Sequence, residues 1–80
     1  MTQIDTVLYA LKDKEPHPLK DIALKVSKIV GKPYEKQIYT NTSSFLTMWR
    51  RQGYTTSSKR GIHQITQAGI EYLRNKQLIQ

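Results

Sequence analysis

The chain has 80 residues, no cysteine, and 13 basic against 6 acidic side chains, a formal net charge of +7. That length admits a single domain over residues 1–80, and the lack of cysteine excludes disulfide staples and thiolate metal sites. The longest apolar run, the five residues Val7 to Leu11, is too short for a transmembrane helix. The acid-bearing start "MTQIDTVLYALKDK" lacks the basic region of a signal peptide, so an intracellular, cytoplasmic protein is expected.

The charge is one-sided along the chain. Residues 1–35 hold six lysines against five acids, whereas residues 36–80 hold seven basic residues against Glu71 alone. From Lys36 to Ile70 there is no acid. This points to a polyanionic partner, nucleic acid before membrane. The plainer alternative is a basic surface kept for solubility.

The first periodic segment places Ile4, Val7, Leu8 and Leu11 at i, i+3, i+4, i+7, which predicts an amphipathic helix over about residues 3–14. Thr2 suits its N-cap, with Asp5 in the N3 place of a capping box. "EPHPLK" then breaks the helix, and its prolines favour a very short edge strand over His17 to Leu19. A second helix follows in "LKDIALKVSKIVG", where Gly31 suits the C′ position. The third helix is predicted from Tyr34 or Glu35 to Arg51, with Ile38, Thr42, Phe45, Leu46 and Trp49 as its inner stripe and Gly53 beyond its end.

Periodicity then changes. "GYTTSSKRGIHQIT" reads as two β-capable runs about a loop containing Lys59, Arg60 and Gly61, a hairpin. Thr66 suits the N-cap of a last helix whose inner face holds Ile70 and Leu73, leaving Leu78 and Ile79 as apolar surface at the end.

The order is helix, short strand, helix, helix, hairpin, helix: mainly α with a small β-hairpin. Three motifs carry a family resemblance. "PLKDIALKVSKIVG" resembles the first helix of a helix-turn-helix pair. "FLTMWRRQGY" places Trp49 and Leu46 four and seven positions before Gly53, as in a recognition helix running into a wing. "GIHQITQAGIEYL" resembles the wing's return strand and the start of a last helix. Together they cover about residues 3–75, and the chain resembles the winged helix-turn-helix superfamily. One departure is "GKPYEK", a junction longer than the tight turn of simple members.

The resemblance implies a recognition helix that brings its N-terminal turns to base edges in the major groove. Small neutral hydrogen-bonding side chains suit that place, and Thr40, Asn41, Ser43, Ser44 and Thr47 supply them. The same "TNTSS" run also reads as a helix boundary, since Ser, Thr and Asn cap free N–H groups. Asn41, near the inner edge, ranks below the other four. Arg50 and Arg51 reach for phosphate or merely complement the helix dipole. At the expected wing tip, Ser57, Ser58, Lys59 and Arg60 are candidates for backbone or minor-groove contact, against the reading of an ordinary polar loop. Lys20, Lys36 and Gln37 are candidate backbone-positioning residues. Tyr39 and Trp49 read as packing, with base stacking as the alternative.

His17 and His63 lie 46 positions apart without ligand spacing, and no acids pair as a catalytic dyad, so neither metal, cofactor nor enzymatic activity is expected. The fold and charge together imply a sequence-specific double-stranded DNA-binding protein, most simply a small transcriptional regulator. A homodimer through the C-terminal helix, with Leu78 and Ile79, is the partner contact the pattern suggests; no membrane or small-molecule partner is indicated. The alternatives are a DNA-targeting module of a larger nuclease, replication or chromatin protein, or a winged helix used for protein contact.

Overall fold

Four helices and a three-stranded antiparallel sheet make up the computed structural model, which describes residues 1–80. In chain order these are α1 (Gln3–Tyr9), β1 (His17–Pro18), α2 (Leu19–Val30), α3 (Lys36–Arg51), β2 (Thr55–Lys59), β3 (Ile62–Ile65) and α4 (Gln67–Asn75). Strand β3 is central, in the order β1-β3-β2, with His17 opposite His63 and Thr55 opposite Ile65.

Helix α1 is shorter than its periodicity predicts. Beyond Tyr9 the chain tightens into i→i+3 bonds, Leu11 N–H to Leu8 C=O at 3.0 Å and Lys12 N–H to Tyr9 C=O at 3.1 Å. Lys14 then turns left-handed at φ +68°. Further on, Pro16 disfavours helical backbone at Glu15, so the helix does not resume. Leu11 stays in the core all the same. Thr2 caps α1 by accepting the Asp5 N–H at 3.2 Å. The capping box is not completed, because the Asp5 carboxylate turns away to Tyr72 and Lys76.

Helix α3 begins at Lys36, one or two residues later than expected, on an extended Glu35 that offers no side-chain cap. Its last turn closes with Tyr54 N–H to Trp49 C=O at 2.9 Å and Gly53 N–H to Arg50 C=O at 3.0 Å, the paired bonds of a Schellman motif. This needs φ +83° at Gly53, which a side chain would strain. The reversal aims β2 back along α3. Thr66 then ties the next junction: its hydroxyl donates to Gly53 C=O at 2.7 Å and accepts the Gly69 N–H at 3.2 Å as the cap of α4.

The core gathers Val7, Leu8, Leu11, Ile22, Val26, Ile38, Leu46, Trp49, Ile65, Ile70 and Leu73 from all four helices and β3. Trp49 is fully packed: its indole N–H donates to Ile4 C=O at 2.9 Å, and its ring lies 5.3 Å from Tyr54 and 5.0 Å from Tyr72. Gly69 sits so close to the Tyr54 carbonyl and Ile65 that an added Cβ would fall within 2.4 Å and 2.6 Å of them. Leu78 and Ile79 are half-buried against this core. That favours their completing the fold over their forming a dimer contact. No helix is long and apolar enough to cross a membrane.

Candidate nucleic-acid interface

At 3.6 residues per turn, Lys36, Thr40, Ser43, Ser44, Thr47, Arg50 and Arg51 share one half of α3, opposite Ile38, Thr42, Leu46 and Trp49. All seven are exposed except Ser43, which is half-buried. The "TNTSS" run is helix interior, four residues past the α3 start, so the boundary reading fails. These poor helix formers are held by the buried stripe beneath them. Small side chains leave the outer surface of this half of α3 low and rich in hydroxyls.

The individual groups differ in how free they are. Thr47 Oγ1 donates to Ser43 C=O at 3.1 Å, a bond within its own helix. Gln37 donates through Nε2 to Asn41 Oδ1 at 2.9 Å, and Asn41 is half-buried in a groove with Gln3 and Ile38. Asn41 therefore lies off the outward face, as its position near the inner edge suggested. Tyr39 is a correction to the packing expectation: it is 39% exposed, on the same N-terminal half of α3. Tyr34, in the junction before α3, is equally exposed. The sequence signal for Tyr39 was its place just outside the core stripe, which left both readings open.

The β2–β3 hairpin carries the second group. Its register shifts by one residue between Thr56 and Lys59, a bulge that falls on Ser57 and Ser58. Ser57 Oγ fills it, 2.7 Å from Lys59 C=O and 2.6 Å from Ile62 C=O. Its hydroxyl is thus spent inside the hairpin, and its place is to shape the tip rather than to reach a ligand. Lys59 ends β2 instead of lying in the loop, and only Arg60 and Gly61 connect the strands. Ser58, Lys59 and Arg60 are exposed.

Tertiary structure adds a contact that sequence distance conceals. The Leu19 N–H at the start of α2 donates to Gly61 C=O at 3.0 Å. Lys20 and Arg60, neighbours of those two residues, are thereby brought to one edge although 40 positions apart. Within β3, His63 lies near Arg50. Burial first, and the Arg50 charge second, hold its imidazole below the ordinary histidine pKa, and its Nδ1 is buried without a partner. The sequence offers His63 only as a possible metal ligand and hides its cross-strand pairing with His17, 46 positions away.

The three ion pairs of the chain use His17, Lys25 and Lys76 against Asp13 and Asp5. Lys20, Lys36, Arg50, Arg51, Lys59 and Arg60 have no carboxylate partner, and no group of three potential metal ligands forms. No protein-family model, no curated protein and no solved structure matches this chain.

Proposed function

We propose that the chain is a winged-helix protein that binds double-stranded DNA sequence-specifically, most simply a small transcriptional regulator acting in the cytoplasm. The observation that carries this reading is the low, hydroxyl-rich outer half of α3, which holds the exposed and unpaired cations Lys36, Arg50 and Arg51. Unpaired cations at one edge release counterions when they meet phosphate, which drives association without regard to sequence. Hydroxyls on a helix thin enough for the major groove can then read base edges. Thr40, Ser43, Ser44 and Thr47 take that role. Lys20, Lys36, Arg50, Arg51, Ser58, Lys59 and Arg60 hold the backbone, with the β2–β3 hairpin as the wing. The activity is binding, not catalysis.

Selection from random duplexes followed by sequencing tests binding and specificity together. The expected result is an enriched motif of one short site. Log K should fall with log salt at a slope of about −4 to −5, for about five neutralised phosphates. No shift of random or genomic duplex at low salt would sink the reading.

A further inference from the structure

A second surface lies between α1 and α2, and no residue of α3, β2 or β3 contributes to it. Its cavity holds about 430 Å³, within the range of specific ligand clefts. The floor is apolar: Tyr9, Ala10 and Ile29, the last 42% exposed although it sits on a helix whose other large aliphatics are mostly covered. The rim is basic. The Lys12 ammonium donates to the Tyr9 hydroxyl and stands 3.9 Å from the ring centroid, which fixes that charge at the lip of the groove. Lys25 and Lys28 line the facing wall. The single acid there, Asp13, is already engaged by His17 at 2.7 Å and Lys25 at 3.7 Å. Lys12 and Lys28 have no carboxylate at all.

We propose that this α1–α2 groove is a docking site for an acidic amphipathic segment of a partner protein, its apolar face over Tyr9, Ala10 and Ile29 and its carboxylates against Lys12, Lys25 and Lys28. An apolar floor between basic walls, one from the end of α1 and the turn after it and the other from α2, suits an amphipathic helix laid in a groove. Charge complementarity selects the occupant. A nucleic acid backbone offers nothing to cover Ile29 and would meet far more positive charge on the acid-free stretch from Lys36 to Ile70. A second copy of the chain fits no better: α3 carries no acid, and α2 and α4 carry one each, Asp21 and Glu71. The site does not depend on the DNA reading, because it shares no residue with it.

The test is amide chemical-shift mapping of the full chain with three synthetic peptides. The first is a 16-residue helix with Leu at i, i+3, i+4 and i+7 and Glu elsewhere; the second replaces Glu with Lys; the third is oligoglutamate of the same length. The expected result is saturable binding of the first peptide alone, with shifts at Tyr9, Ala10, Lys25, Lys28 and Ile29. Ile29→Ser and Lys25→Glu/Lys28→Glu each weaken it at least tenfold. These positions are on the surface, and an unchanged thermal midpoint verifies that the variants fold. Shifts confined to α3 and the hairpin, equal binding of oligoglutamate, unchanged affinity of Ile29→Ser, or no saturation below millimolar peptide would each overturn the proposal. Duplex binding by Ile29→Ser, measured alongside, keeps this outcome separate from that of the DNA reading.

Discussion

The Tyr72 hydroxyl donates to Asp5 Oδ1 at 2.7 Å, joining α4 to α1 across 67 positions of sequence. Asp5 is 5% exposed, and its only other charged partner is the Lys76 ammonium at 3.7 Å. A buried carboxylate is tolerated only while its lone pairs are occupied. Burial, followed by this bond, pushes the Tyr72 phenol above its ordinary pKa, so the hydroxyl stays a donor throughout the neutral range. Tyr72→Phe therefore removes the best partner of a desolvated charge, and urea unfolding should show a loss of about 1.5–3 kcal/mol. A loss below about 0.5 kcal/mol would mean the carboxylate is satisfied by other means.

Gly69 sets two effects against each other. Replacing a helical glycine with alanine ordinarily gains about 1 kcal/mol. Here the new Cβ would lie 2.4 Å from the Tyr54 carbonyl oxygen and 2.6 Å from Ile65 Cγ1. Backbone cannot yield as a side-chain end does, and overpacking costs about 1–3 kcal/mol. Gly69→Ala is expected to destabilise, lowering the thermal midpoint and loosening the junction of α3, β3 and α4 that Thr66 ties. A raised midpoint would refute this balance.

On the DNA reading, helix α3 separates stability from binding. Thr42 is fully buried and its Oγ1 has no hydrogen-bond partner, so Thr42→Val keeps the shape and removes an unsatisfied group, for a gain of about 1 kcal/mol. On the outer face, Thr40→Ala and Ser44→Ala should each stabilise by about 0.5 kcal/mol through helix propensity. On the DNA reading the same two changes alter base preference, whereas Lys59→Ala with Arg60→Ala weakens all duplexes alike and flattens the salt slope by about 2. Duplex selection with each variant checks this; equal losses across all sequences for the α3 variants would count against direct readout.

Much of this fold was legible in the sequence because its elements are amphipathic and punctuated. The i, i+3, i+4 stripes marked α2, α3 and α4, Gly31 and Gly53 marked two ends, and Thr66 marked a start. What escaped was set by contacts between distant segments. Periodicity could not show the end of α1 at Tyr9, because Leu11 is buried whether the last turn is α or tighter. The Ser57 hydroxyl is consumed by a bulge that exists only in the paired hairpin. Lys20 joins Arg60 through one backbone bond, and the Lys12–Lys25–Lys28 rim forms only when α1 and α2 pack. Residue types named candidates for contact; tertiary pairing decided which of them are free.

Protonation of His63 gives the remaining prediction. The folded protein holds this imidazole below its ordinary pKa of about 6.5, through burial first and Arg50 second. The unfolded chain therefore binds the proton more readily, so the stability from a neutral His63 is fully present above about pH 6.5 and is lost as pH falls towards the depressed folded value. On the DNA reading, binding opposes the smaller of these two causes. A phosphate held at Arg50 offsets the charge that disfavours the imidazolium and raises the pKa of His63, so binding takes up a proton. Affinity for duplex should then rise as pH falls below about 6.5, the range in which the free protein loses stability. His17, paired across the strand and bonded to Asp13, is the other histidine within reach, and His17→Gln provides its control. Fluorescence-anisotropy titrations at fixed salt check the linkage. His63→Gln should flatten the pH dependence of binding while His17→Gln leaves it in place, and an unchanged slope in His63→Gln would detach this residue from the interface.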